Sequence, residues 1–231
     1  MACSVIFLKE INSAGHSDRR GWTDMIDTVV FDIGNVLMKF DYLPFVKKLL
    51  GDAEAVEKVN KAIFLSHLWD ELDRGRDTDE IFQKMIEEEP GYEDQIRLTF
   101  DSVGECMERE EYAVPWIRDL KKRGYRVLYL SNYSPHTMEA NIDVLNFVPF
   151  MDGGIFSCDV KRIKPDPEIF RILIRKYSLD PENCIFIDDN KDNVDTALSL
   201  GMHAIHFIDY DSAKSELEEV LTDQEQHNEN T

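Results

Sequence analysis

An α/β fold, a doubly wound and mostly parallel sheet with an all-helical unit inserted after its first strand, is predicted by three observations. Short β-branched or apolar runs alternate with amphipathic helices along most of the chain. One long stretch, roughly residues 43–110, carries helical spacing alone. Three of the strands end in polar or acidic residues, Asp32, Ser131-Asn132 and Asp188-Asp189, and the carboxyl edge of an open parallel sheet is where ligands bind.

Taken in order, Asp27-Thr28-Val29-Val30-Phe31 reads as a buried strand ending at Asp32, with Gly34 and Asn35 favouring a tight turn. The helical stretch then shows three apolar stripes: Val56, Val59, Ile63, Phe64 and Leu68; Ile81, Phe82, Met85 and Ile86; and Tyr92, Ile96, Phe100, Val103 and Met107. Thr78 before an acidic turn reads as an N-cap, and Pro90-Gly91 as a stop and restart. A helix opening at Val114-Pro115 and closing at Gly124 feeds the strand Arg126–Leu130. Pro165 and Pro167 open a helix striped by Ile169, Phe170, Leu173, Ile174 and Tyr177, which leads to the strand Cys184–Ile187. The helix Val194–Leu200 stops at Gly201, before a last strand, His203–Ile208. The expected organisation is a core from residues 25–42 and 112–222, a helical insertion at 43–111, a dispensable extension or misassigned start at 1–24, and a structureless polar tail at 223–231.

The chain has 231 residues, and 26 Lys and Arg against 46 Asp and Glu leave a net charge of -20. Such a surface repels phosphate backbones and anionic membranes, so neither nucleic acid nor membrane is an expected partner. Cysteines 3, 106, 158 and 184 form no Cys-x-x-Cys pair and no zinc spacing, and read as reduced thiols. The early apolar run Ser4–Leu8 is too short for a signal or a span, so a cytoplasmic monomer or homodimer is expected.

Three strand ends bring Asp32, Ser131-Asn132 and Asp188-Asp189 to one rim, with Lys164 just before the helix beside them. Carboxylates gathered at one edge repel unless a cation sits among them, and hard oxygen donors suit Mg²⁺. Phosphoryl transfer needs this set: an attacking aspartate, a metal and a lysine to neutralise the equatorial oxygens, and small donors to hold the phosphate. With a carboxylate's ordinary pKa of about 3.9, the nucleophile is expected to be ionised at neutral pH.

Phe31-Asp32-Ile33-Gly34-Asn35-Val36, Leu130-Ser131-Asn132, Lys164-Pro165-Asp166-Pro167 and Ile187-Asp188-Asp189-Asn190 with Asn193 resemble the four ordered motifs of the haloacid dehalogenase-like hydrolase superfamily, over residues 26–210. The insertion resembles its helical cap, and Asp32–Val36 is similar to bacterial phosphatases of α-D-glucose 1-phosphate. The resemblance implies a Mg²⁺-dependent phosphatase of a small phosphate ester, a sugar phosphate above all. Asp32 would be nucleophile and metal ligand. The Gly34 carbonyl, Asp189 and, through a water, Asp188 would complete the metal's protein ligands. Ser131 and the Asn132 main chain would bind phosphate, Lys164 would bridge nucleophile and phosphate, and Asn193 would orient the metal loop.

The chain departs from the family's usual pattern where most of its phosphatases carry a second aspartate, the general acid and base; here that position is Gly34. Such help is worth roughly 10²–10⁴-fold. Asp41 or Asp73 is a candidate substitute, against the simpler reading that each is structural. Trp69, Asp70, Glu71, Asp73 and Arg74 form the insertion's most polar and aromatic corner and are candidates to read the substrate. Two alternatives remain: a binding or regulatory protein that has lost turnover through Gly34, and a 2-haloacid dehalogenase, which the Asp188-Asp189 pair disfavours.

Overall fold

The computed structural model describes residues 25–229, so the extension expected at 1–24 lies outside the described residues. β1 (Thr28–Phe31) is buried along its length and pairs in parallel on both sides, with β4 (Arg126–Ser131) and β6 (Cys184–Asp188). β5 (Gly153–Phe156) and β7 (His203–His206) extend the sheet to the order β5-β4-β1-β6-β7. Its side chains alternate between two apolar layers. Val29, Phe31, Val127, Tyr129, Ile185 and Ile187 pack with Trp116, Ile117 and Leu120 of α6 (Ala113–Lys122) and with Leu217 and Leu221 of α11 (Tyr210–Glu229). Val30, Leu128, Leu130 and Phe186 pack with Ile169, Phe170 and Leu173 of α9 (Pro167–Tyr177) and Ala197 of α10 (Lys191–Ser199). Helices thus cover both faces of a parallel sheet, as the β–α repeats predict. Each large side chain so enclosed is worth about 1.5–3 kcal/mol.

The sequence reading lacks β5, because Gly153-Gly154 carries the signature of a turn. A Cβ on Gly154 would lie 2.3 Å from the Tyr129 carbonyl oxygen, so only glycine admits this spacing between β4 and β5. Short helices α7 (Pro135–Ala140) and α8 (Ser157–Val160) follow β4 and β5.

Between β2 (Met38–Phe40) and β3 (Met107–Arg109), an antiparallel ribbon with Met38 opposite Arg109, lie five helices. They are α1 (Tyr42–Leu50), α2 (Ala53–Ala62), α3 (His67–Asp73), α4 (Thr78–Glu88) and α5 (Glu93–Asp101). Their stripes close on an apolar cluster of their own, with Val59, Ile63, Leu72, Met85 and Ile96 at its centre. Aromatic rings join helices to ribbon: Tyr42 stacks on Phe64 at 4.2 Å and Phe40 on Trp69 at 5.7 Å.

Three local expectations are corrected. Asp77 rather than Thr78 caps α4, its carboxylate accepting the Glu80 N–H at 2.9 Å. Met107 belongs to β3, because α5 ends at Asp101 and a 3₁₀ turn over Val103–Cys106 preserves the apolar spacing while leaving the helix. The tail expected to be structureless from Asp223 continues α11 to Glu229. Extending a helix already anchored by Leu217 and Leu221 needs no new nucleus, and Gln and Glu are good formers.

Candidate active site

Asp32 emerges from β1 at the sheet's centre. Its N–H continues the ladder to the Ile187 carbonyl at 2.9 Å, and its Oδ1 accepts the Ile33 N–H at 2.6 Å. Phe31 lies opposite Ile187, so Asp32 and Asp188 stand level on neighbouring strands. Past Asp32 the chain turns sharply, with the N–H groups of Leu37 and Met38 returning to the Ile33 carbonyl. Asn35 holds a left-handed backbone, φ 53°, which asparagine tolerates. Its side chain accepts the Phe40 N–H at 3.0 Å and donates to Asp189 Oδ2 at 3.2 Å, tying the first motif to the acidic loop.

Lys164 is buried, its Nζ 2.8 Å from Asp32 Oδ1 and 2.6 Å from Asp188 Oδ2. Burial alone would lower its pKa, and Asp188 and Asp32 together outweigh that and raise it, so the ammonium stays charged. Asn132 clamps the Lys164 main chain, accepting its N–H at 2.8 Å and donating to its carbonyl at 3.0 Å. Both Asp188 oxygens are engaged, since Asn193 Nδ2 donates to them at 2.9 and 3.1 Å and the Asn190 N–H reaches Oδ1 at 2.8 Å. Ser131 is buried at the end of β4, with its Oγ 3.5 Å from the Asn132 carbonyl.

Ligand oxygens of Asp32, Asp188 and Asp189 lie within 4.8 Å of one another. Three carboxylates against one ammonium leave an excess of negative charge, and every donor is a hard oxygen, so the residues fit a divalent cation of the Mg²⁺ kind. Without a cation, the surroundings of Asp32 differ from those of a free carboxylate, its burial first among the causes. Burial pushes Asp32 up to about 7, with Lys164 opposing and Asp188 and Asp189 reinforcing, so its charge depends on what stands beside it. Asp189 is raised too, first by burial and then by Asp188.

A cavity of about 150 Å³ opens over this edge. Asp32, Gly34, Asn35, Asn132 and Asp189 form its polar side, and Met38, Phe40, Trp69, Met107 and Tyr133 an apolar one, with Thr137 and Asp73 completing the lining. Ser131, Lys164 and Asp188 are buried and are not among the residues lining it. Of the insertion's polar corner, Trp69 and Asp73 reach the cavity. Asp70 is exposed, and Glu71 turns to pair with Arg74 at 2.7 Å and Arg76 at 3.2 Å. Asp41 is exposed at the start of α1 and is not in the lining.

The end of α3 is held against the sheet domain by two contacts. Ser157 Oγ donates to the Asp73 carbonyl at 2.6 Å, and Lys161 Nζ to the Gly75 carbonyl at 2.7 Å. Gly75 has φ +67°, and a Cβ there would meet Lys161 Nζ at 2.5 Å and the Cys158 carbonyl at 2.7 Å, so glycine is required on both counts. Sequence reasoning passed over Tyr133 and Thr137 and saw in Asn35 only a turn former. Adjacency to Ser131-Asn132 was the available signal for Tyr133.

A family model described as haloacid dehalogenase-like hydrolase matches residues 26–201. The chain is 27% identical over 204 residues to a drimenol cyclase of Aspergillus calidoustus, covering 85% of this chain but only 37% of that protein. It is 26% identical to a sesquiterpene phosphatase of Aspergillus oryzae, covering 83% of this chain and 95% of the relative. With the D-ribitol-5-phosphate phosphatase of Bacteroides thetaiotaomicron it shares 27% identity over 77% of this chain and 89% of the relative. Its fold is similar to that of a Bacteroides thetaiotaomicron enzyme solved with magnesium and inorganic phosphate, with TM-score 0.59 and 21% identity over 78% of this chain and 93% of that one. The order of the motifs, the sheet that gathers them and the match over most of the chain agree: this protein belongs to the haloacid dehalogenase-like hydrolases.

Proposed function

We propose that the protein is a Mg²⁺-dependent phosphatase that hydrolyses a small phosphate ester through an aspartyl-phosphate on Asp32. The observation that carries this reading is the buried Lys164 ammonium seated between Asp32 and Asp188, with Asp189 completing a carboxylate cluster at the cavity. Asp32 attacks phosphorus in line while Lys164 lowers the repulsion between two anions and holds the nucleophile's orientation. Ser131 and the Asn132 main chain position the phosphate. Asp32, the Gly34 carbonyl and Asp189 would hold Mg²⁺, with Asp188 contributing through water because its own oxygens already serve Lys164, Asn190 and Asn193. When bound, the ion neutralises charge on the transferring phosphoryl group. Helices α1–α5 act as the cap that selects the rest of the ester.

A sugar phosphate is the first substrate reading, in keeping with the ribitol-phosphate relative. The cavity supports a second, an ester of an apolar alcohol. Sugar hydroxyls set against Met38, Phe40, Trp69, Met107 and Tyr133 would forgo hydrogen bonds, and the sesquiterpene phosphatase is among the relatives.

The test is phosphate release from α-D-glucose 1-phosphate, D-ribitol 5-phosphate, farnesyl phosphate and 4-nitrophenyl phosphate, with Mg²⁺ or with EDTA. Turnover should require Mg²⁺ and fall at least about 10³-fold in Asp32→Asn. Release that survives EDTA or that substitution would overturn the reading, and the preferred ester decides between the two substrate classes.

A further inference from the structure

We propose that Asp73, entering the cavity from the end of α3, protonates the departing alcohol and then takes the proton of the hydrolytic water. The proposal rests on the phosphatase reading and fills the role that Gly34 leaves vacant. Of the carboxyl groups lining the cavity, Asp32 and Asp189 belong to the acidic cluster at the sheet edge, and Asp73 comes from the helical insertion, at the end of α3. It is buried, 7% exposed, and its carboxyl makes no hydrogen bond or ion pair with the other described residues. Its main chain, in contrast, is pinned: Ser157 holds the carbonyl of Asp73 itself, and Lys161 that of Gly75 two residues on. A buried carboxyl without a partner, on a backbone fixed in place and facing a cavity, is free to exchange a proton with whatever enters.

Charge agrees with placement. Burial first, then the neighbouring charges of Asp70 and Asp32, push Asp73 up to about 8, with Lys164 and Arg74 opposing, so it carries its proton at neutral pH. Asp41, the other candidate, is exposed and outside the cavity lining.

In the first step the Asp32 carboxylate bonds to phosphorus, the phosphorus–oxygen ester bond breaks, and the ester oxygen keeps the electron pair and takes the Asp73 proton. In the second, water attacks phosphorus and gives its proton to the Asp73 carboxylate. The bond from phosphorus to Asp32 breaks, inorganic phosphate leaves, and both aspartates return to their starting states. Nothing is oxidised or reduced.

The experiment measures kcat/KM with Mg²⁺ for 4-nitrophenyl, phenyl and benzyl phosphate, whose leaving groups need increasing help from an acid. Wild type, Asp73→Asn, Asp73→Glu and Asp32→Asn are compared, with circular dichroism and melting curves for each. Asp73→Asn should lose about 10²-fold on benzyl phosphate and less than about threefold on 4-nitrophenyl phosphate, with part of the loss restored in Asp73→Glu. Equal losses along the series, or none, in a folded and Asp32-dependent enzyme would overturn the proposal alone. An inactive wild type, or an active Asp32→Asn, would overturn the phosphatase reading and this proposal with it.

Discussion

The sheet edge and the helical wall share one cavity but hold their acids in opposite ways. At the edge, Asp32 and Asp188 are bound to Lys164, Asp188 also to Asn193, and Asp189 to Asn35, so each carboxylate has a partner that fixes it. On the wall, Asp73 is buried with its carboxyl unpartnered among the described residues, and its backbone is tethered. The difference follows from what each acid is for in the proposed reaction: groups that bind charge need fixed partners, whereas a group that passes a proton needs its lone pair and its proton uncommitted.

The largest disturbance of this contrast should come from Lys164→Ala. The substitution strips the edge of its cation and leaves Asp188, wholly buried, without its strongest partner. Removing one member of a buried pair costs about 3–5 kcal/mol. A urea titration should show that loss together with a collapse in phosphate release, and a stable Lys164→Ala would mean that the edge tolerates its carboxylates unpaired.

A smaller effect is expected from Gly75→Ala, which alters the tether rather than the acid. The positive φ and the short approaches to Lys161 and Cys158 should cost about 1–2 kcal/mol and displace the end of α3, lowering kcat/KM more than the loss of stability explains. A neutral Gly75→Ala would show that the tether does not set the position of Asp73.

The smallest concerns the price of leaving Asp73 unpartnered. Its carboxyl is raised from 3.8 to about 8, so the folded protein keeps a proton that the unfolded chain releases. Stability from this group is present below pH 3.8 and is lost as pH rises towards 8. Asp73→Asn should therefore melt higher than wild type at pH 8, with the gap closing towards pH 4, at about 2–4 °C for each kcal/mol relieved. Differential scanning fluorimetry at the two pH values decides it, and a lower melting temperature at pH 8 would show that the carboxyl is stabilising.

The same contrast governs what the sequence revealed. Asp32, Ser131-Asn132 and Asp188-Asp189 stand where strands end, and a parallel sheet brings strand ends together, so their gathering could be read from periodicity and order. The helical wall was harder. Asp70 and Asp73 sit three residues apart at one helix end, with the same chemistry and spacing, yet one is exposed and the other buried. Helical periodicity shows which face of a helix is apolar and not what that face meets. The three-residue strands β2 and β3 are too short to show alternation, and β5 hides behind Gly153-Gly154.

The ribbon of β2 and β3 has one more consequence. It brings the two ends of the helical insertion side by side, Met38 across from Arg109, so the chain leaves and rejoins the sheet domain at one place, with the hold of Ser157 and Lys161 on the end of α3 as a further tie. A graft of a different helical unit between those ends would leave the strand order and the acidic edge intact. It would, however, remove Trp69 and Asp73, the two residues of the cavity lining that lie between β2 and β3. In such exchanges substrate choice and proton transfer would be inherited as a single cassette, and a graft without its own acid would recognise an ester that it could not protonate.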